Sequence, residues 1–361
     1  NAPILPRAVD VAKEGQADNI GNGSASFNGS SDYVDLNTDL ESWVESPNKS
    51  FSVWVKNDGN TDSARIFNVG YQDSNQTGFA LGIDKTTDNK PFYFFRQSDG
   101  SPLFEEFGDV LNTTDWYHFA ISVDGTANKA YIYQNGVLMT TVTNVGEPAQ
   151  TTDKTAKIGV HFDISTAQYF NGDISQIGLW QGSLTQAQIQ SVFESTSYSK
   201  IPADVKSTLG SETLTHDFSD GTGVTVPSSL SSLTTFNGEM VVNGGSVSSD
   251  YYLIADNVTW DTSKVYKIVV VCSAYTSGSL SHQGGSATFG INFGISSSIG
   301  GVGTFTNYAV PNQDGIITLR SQSFVGTLSS ISIKEVINDI VAYYPLDGDS
   351  SDTSSGVGFT N

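Results

Sequence analysis

Along most of this chain apolar and polar positions alternate with a period of two. In FSVWVK, Phe51, Val53 and Val55 are interleaved with Ser52, Trp54 and Lys56, the period of a β-strand. WYHFAISVDG and KAYIYQNGVLMTTV continue the pattern, and the second carries Asn135-Gly136 between two apolar runs. Asn-Gly tolerates the positive φ of a type I′ turn, so a hairpin is predicted there. The period changes to that of a helix in GSLTQAQIQSVFE, where Thr185 and Gln188 have capping-box spacing and Ile189, Val192 and Phe193 share one face. A short helix packed on a sheet edge follows. The polar, proline-containing STSYSKIPADVKST then separates two stretches of different texture, which puts a domain boundary near Tyr198 to Ser207. Beyond it, KVYKIVVVCSAY, GIITLRSQSF and LSSISIKEV read as strands of a second β-sandwich.

Composition supports an all-β architecture, being rich in Gly, Ser, Thr, Asn and aromatics. The length of 361 residues accommodates two domains, each with its own core. Lys+Arg 17 against Asp+Glu 38 gives a net charge of -21. Such a chain repels phosphate backbones and anionic bilayers at long range, so neither nucleic acid nor a membrane is an expected partner. Four His, two Met and one Cys are few for a catalytic metal or redox protein. Cys272, lacking an intrachain partner and set in an apolar strand run, reads as a small buried hydrophobe. No run approaches ~18 apolar residues, and the opening NAPILPRAVDVAKEGQADN lacks the apolar centre of a signal peptide.

Five segments carry a resemblance. SASFNGSSDYVDL, SFSVWVK, DWYHFAISVDGTANKAYIYQNGV, AKIGVHFD and YFNGDISQIGLWQGSLTQAQI occur in the order and spacing of a laminin-G-like, concanavalin-A-like sandwich, covering about Ser24 to Glu194. That superfamily includes lectins, adhesion modules, glycan hydrolases and inert spacers, so the resemblance implies a fold before it implies a chemistry. Trp116, Tyr117, Phe119 and Trp180 are expected as core aromatics. Related sequences often carry Asp-Glu after the Gly-x-Ile turn, where this chain has Ser175-Gln176. The second stretch, in AYTSGSLS and SFVGTLSSISIKEV, resembles the carbohydrate-binding-module-like jelly rolls of bacteriophage structural proteins. The first 29 residues and VAYYPLDGD look like pieces of modular phage tail or fibre proteins.

The expected organisation is an N-terminal extended segment over 1–23, a concanavalin-A-like jelly roll over 24–197, and a linker over 198–208. A carbohydrate-binding-module-like jelly roll over 209–336 and a tail strand or start of a further module over 337–361 complete it. One short helix is expected in all. In laminin-G-like modules a strand resembling VAYYPLDGD ordinarily comes first, yet here it follows both domains. Either a third module starts at Val341, or the strand folds back onto the first sandwich or onto that of a neighbouring chain.

Candidate chemistry is sparse. The sequence has no G-x-S-x-G, H-E-x-x-H, P-loop or paired cysteines, and no E-x-D-x-x-E strand of the glycan hydrolases. Glu105 and Glu106 are adjacent, so on a strand they point to opposite faces and cannot flank one scissile bond. His161 and Asp163 form the one His-x-Asp pair, with no nucleophile to name beside them. Calcium is the better chemical candidate. DSNQTGFALGID spaces Asp73, Asn75 and Asp84 as oxygen ligands around Thr77 and Gly78, and Asp347, Asp349 and Asp352 offer a second group. A polar hairpin loop is nevertheless the favoured reading of the first, and ordinary turn chemistry that of the second. For glycans, Tyr71, Tyr251, Tyr252 and Trp260 are the candidate stacking residues near turns.

These readings converge on a non-enzymatic bacteriophage virion protein at the particle surface, a tail or appendage fibre segment that attaches to host surface glycans. Its expected partners are other virion proteins and further copies of itself, as a homo-oligomer with a trimer favoured. The alternatives are a capsid decoration or spacer without glycan binding, and a secreted adhesin or depolymerase.

Overall fold

The computed structural model describes residues 23–36, 40–59, 63–71, 77–84, 89–149, 153–161, 163–166, 168–222, 224–226, 228, 230–244, 251–258, 261, 264–282, 299–309 and 315–346. The fold is all-β, as the alternation predicts. It divides into two compact units, the first comprising Asn1–Thr208 with Asn338–Asn361 and the second Leu209–Ile337.

In chain order the first unit contains β1 (Ala25–Asn28), β2 (Val34–Leu36), α1 (Glu41–Val44), β3 (Lys49–Asn57), β4 (Ala64–Tyr71), β5 (Thr77–Asp84), β6 (Lys90–Arg96) and β7 (Pro102–Glu106). After them come β8 (Trp116–Asp124), β9 (Lys129–Gln134), β10 (Val137–Thr143), β11 (Asp153–Ile158), β12 (Asn171–Gln181), α2 (Gln186–Phe193) and α3 (Ala203–Lys206). One antiparallel sheet runs β10-β9-β8-β3-β12, and the other β2-β11-β4-β5-β6-β7. Between them Phe51, Val53 and Val55 of β3 meet Phe67, Phe79, Leu81 and Tyr93 of the opposite sheet in one apolar core. Asn135 and Gly136, both at positive φ, join β9 to β10 as the Asn-Gly pair predicts.

Helix α2 begins with both hydrogen bonds of the capping box between Thr185 and Gln188, and buries Ile189, Val192 and Phe193. It lies on the outer side of the first sheet, where Ile189 and Val192 pack with Ala120, Tyr133, Trp180 and Tyr343. Tyr117, Phe119 and Trp180 are buried as expected, whereas Trp116 is half-buried. Two further single-turn helices, α1 and α3, accompany the one predicted. The segment expected as a linker over 198–208 is packed instead. Ile201 and Val205, four residues apart, are buried against Trp180, whose indole donates to the Val205 carbonyl at 3.0 Å.

The second unit contains β13 (Ser207–His216, beginning in the first unit), β14 (Val224–Thr225), β15 (Thr234–Phe236), β16 (Met240–Asn243), β17 (Tyr251–Val258), β18 (Val265–His282) and β19 (Gly303–Ala309). Its last strand, β20 (Gly315–Tyr344), pairs with β16, β17 and β18 and then continues into the first unit. Cys272 is buried and unbridged in its core, beside Leu328 and Ile331.

The final residues of β20 answer the question raised by VAYYPLDGD. They pair antiparallel with β12, from Asp339 opposite Gln181 to Tyr344 opposite Ile177. Ala342, Tyr344 and Leu346 enter the core between the sheets, and Tyr343 packs on the α2 side. The same edge of β12 is occupied further along by β1, from Ala25 opposite Ile174 to Asn28 opposite Asn171. One edge position is therefore filled by two half-strands. They meet at the Ser175-Gln176 bulge, where the Ser175 hydroxyl reaches the Gly23 carbonyl at 2.9 Å and the Pro345 carbonyl at 3.2 Å. The Gln176 backbone N–H donates to Pro345 O at 3.1 Å, and its side-chain oxygen accepts from the Tyr343 hydroxyl at 2.9 Å. Ser175 and Gln176 thus supply neutral groups that clamp the junction.

Candidate functional site

The face of the six-stranded sheet turned away from the core carries the richest grouping of ligand-competent side chains. Register places Glu106, Phe92, Gly82 and Arg65 in line across β7, β6, β5 and β4. The next line holds Phe104, Phe94, Ala80, Asn68 and Lys157. β5 thus contributes only small residues, Ala80 and Gly82, to the middle of this face. A Cβ on Gly82 would lie 2.4 Å from Phe92 Cζ, so the ring rests directly on the glycine backbone. Phe104 stacks on Phe92 with centroids 5.1 Å apart and is 49% exposed. The Arg65 guanidinium lies 4.6 Å from the Phe92 ring centre, and that of Arg96 lies 5.1 Å from Phe94. Backbone carbonyls fix both cations, Arg65 Nη1 donating to Ser63 O at 3.0 Å and Arg96 Nη1 to Gly100 O at 2.8 Å.

The rim of this face is polar. Asn68 is buried and donates to the Val160 carbonyl, and Lys157 pairs with Asp35. Neighbouring His161 accepts the Asp163 backbone N–H on Nδ1 at 3.2 Å. Burial, and then the positive charge of Arg65, lower its pKa to about 4, so the ring is neutral at pH 7. The Asp163 carboxylate is engaged by the Ser165 N–H and hydroxyl, at 3.0 and 2.6 Å, which makes the His-x-Asp pair a turn-forming unit. Glu105 and Glu106 fall opposite Tyr93 and Phe92 respectively, on opposite faces, as adjacency requires.

The residues singled out from sequence are dispersed. Tyr71 closes β4 opposite Thr77 in the first unit. Tyr251 and Tyr252 open β17 in the second, opposite Arg320 and Leu319. Asp84 ends β5 opposite Lys90 and accepts from the Ser63 hydroxyl at 3.2 Å. Asp73, Asn75, Trp260, Asp347, Asp349 and Asp352, and with them most of both proposed calcium loops, lie outside the described residues. Among the described residues no three His, Cys, Asp or Glu side chains gather as a metal site. Nor is any helix among them long and apolar enough to cross a membrane.

Sequence reading missed the Phe92, Phe94, Phe104, Arg65 and Arg96 grouping. The available signal was KPFYFFR, whose aromatics occupy both alternation sets beside a strand, FALGI, with small residues at every second place.

Residues 28–190 match the profile of Laminin_G_3, described as the concanavalin A-like lectin/glucanases superfamily. None of the curated proteins matches the chain. Among solved structures, the native heptameric SAP-like pentraxin of Limulus polyphemus is 18% identical, with 48% of this chain and 82% of that one covered and a TM-score of 0.40. The CBM40 of the Ruminococcus gnavus IT-sialidase, bound to α2,3-sialyllactose, is 16% identical, with 47% and 96% covered and a TM-score of 0.42. Domain 4 of the arabinanase AbnA of Geobacillus stearothermophilus, in complex with arabinotriose, is 23% identical, with 47% and 75% covered and a TM-score of 0.36. On its sheet order and its profile match, the region 28–190 has a concanavalin A-like fold of two antiparallel sheets.

Proposed function

We propose that this chain is a glycan-attachment protein that binds without cleaving, and that the outer face of the six-stranded sheet is its binding surface. The observation that carries the reading is the exposed Phe104 ring stacked on the buried Phe92, with the Arg65 and Arg96 guanidinium groups over Phe92 and Phe94 on the same face. A pyranose offers an apolar C–H face to such a surface and a rim of hydroxyls to side chains such as Arg65 and Glu106. Weak sites of this kind gain firmness when repeated, which suits a homo-oligomer, with a trimer as the favoured form. The phage-like texture of the second stretch supports a setting on a virion appendage facing host surface glycans. A calcium ion held by the Asp73 or Asp347 loops is compatible with this reading.

A glycan array probed with the wild-type chain and Phe104→Ala tests it. Because Phe104 is already half-buried in the free protein, its loss corresponds to roughly 0.7–1.5 kcal/mol, or about 3- to 12-fold in affinity. Equal binding by both proteins would remove the site from this face. No binding by either would favour the spacer role, and new reducing ends in host polysaccharide would favour a depolymerase.

A further inference from the structure

The divided edge of β12 has a direction. The segment from Asp339 opposite Gln181 to Tyr344 opposite Ile177 is followed along the same edge by Ala25 opposite Ile174 to Asn28 opposite Asn171. Both half-strands are antiparallel to β12, so they run the same way and together trace one strand whose first half comes from the end of the chain and whose second half comes from its start. Ser175 bridges the break, contacting the carbonyls of Gly23 and Pro345.

The first half is seated by contacts within the first unit. Asn338 Nδ2 donates to the Asp204 and Val205 carbonyls at 3.0 and 2.8 Å, and its oxygen accepts from Gln188 Nε2 at 3.2 Å. Gln176 receives the Tyr343 hydroxyl, while Ala342, Tyr344 and Leu346 complete the core. The slot is thus a property of residues 23–208, and it reads backbone register and side chains of 338–346 wherever that segment originates.

We propose that residues 338–346 form an exchangeable strand, and that its second occupant is the same segment of another copy of this chain. A copy that gives its strand away is left with an open slot on the edge of β12. Donor and slot are different surfaces, so the exchange closes reciprocally into a dimer, closes head to tail into a ring such as a trimer, or propagates head to tail into a filament. In one chain the segment competes for its own slot at a high effective concentration, so exchange is set as chains fold side by side.

The test uses full-length chains carrying Cys272→Ser and one new cysteine each. Gln181→Cys and Asp339→Cys, opposite one another in register, are put on differently tagged chains, co-expressed and then oxidised. Expected is a disulfide-linked heterodimer joining position 181 to position 339, well above the level given by Gln181→Cys with Thr126→Cys, whose second site is an exposed turn residue. A chain carrying both Gln181→Cys and Asp339→Cys, expressed alone, should yield interchain as well as intrachain links. Intrachain links alone, with no heterodimer above the control, would overturn the exchange. So would the absence of any 181–339 link, since the pairing itself would then be wrong. Light scattering on the unsubstituted chain gives a readout free of cysteines: a monomer at every concentration counts against the proposal, and dimers or longer assemblies count for it.

Discussion

Replacing His118 by Phe should make the first unit more resistant to acid. His118 lies on the helix-covered side of β8, with its ring 5.2 Å from Trp54 and 5.6 Å from Phe193, and it is 1% exposed. Neither ring nitrogen has a hydrogen-bond partner among the described residues. Burial alone lowers its pKa from 6.5 to about 3, so the fold accepts only the neutral imidazole. The stabilisation tied to that state is complete above pH 6.5. It is lost as pH falls from 6.5 towards 3, because the unfolded chain takes up a proton that the folded chain refuses. Each pH unit in this window corresponds to about 1.4 kcal/mol, so acidification from 6.5 to 4.5 costs about 2.7 kcal/mol through this one residue. For a unit of this size that corresponds to roughly 5–11 °C in Tm. His118→Phe keeps an aromatic ring between Trp54 and Phe193 and removes the titration. Urea unfolding followed by tryptophan fluorescence at pH 7 and pH 4.5 measures the two stabilities. The stability gap between variant and wild type should widen by about 2.7 kcal/mol on acidification. Parallel losses in the two proteins would refute the argument, because the acid sensitivity would then lie elsewhere.

Lys49 gives the complementary alkaline test. Its buried ammonium donates to the Val44 and Ser46 carbonyls, both at 2.7 Å, and burial lowers its pKa to about 7. Stability should therefore rise by up to about 1.4 kcal/mol per pH unit between pH 7 and 10, a slope that Lys49→Met abolishes in denaturant titrations at several pH values. Tyr344→Ala, which empties a fully buried position in the core between the sheets, should cost about 3–5 kcal/mol by urea unfolding. Tyr343→Phe, which removes the hydroxyl donated to Gln176, should cost about 1 kcal/mol in the same assay. If Tyr344→Ala were neutral, the tail strand would not be part of the first sandwich in solution.

The elements that could be read from the sequence are those whose physics is local. The capping box at Thr185 and Gln188, the positive-φ pair Asn135-Gly136 and the alternation of β3 each need only a few neighbouring residues, and each forms as read. Trp180 shows where locality ends. Its burial was legible, but Leu179 faces the space between the sheets while Trp180 packs beneath α2 and α3. The 198–208 segment failed for the same reason. A proline and a polar composition suggested a tether, while the two apolar residues that matter, Ile201 and Val205, find their partners on strands distant in sequence.

The candidate site was hidden by a subtler feature. In KPFYFFR both alternation sets are aromatic, so the residues facing the core, Tyr93 and Phe95, cannot be told from Phe92 and Phe94 without knowing what lies across the sheet. What distinguishes them is Gly82 and Ala80 on the neighbouring strand, which leave room for rings to lie flat on the outer face. The tail is the converse case. VAYYPLDGD announces a strand plainly, but its place depends on an edge that β1 covers only in part. Because β1 begins only at Ala25, the residues of β12 from Ile177 onward need a partner, and the Ser175 hydroxyl and Gln176 backbone N–H donate to the incoming Pro345 carbonyl, where a charged pair would carry two desolvated carboxylates. Ser175 and Gln176 thus help a strand from the far end of the chain to complete the sheet.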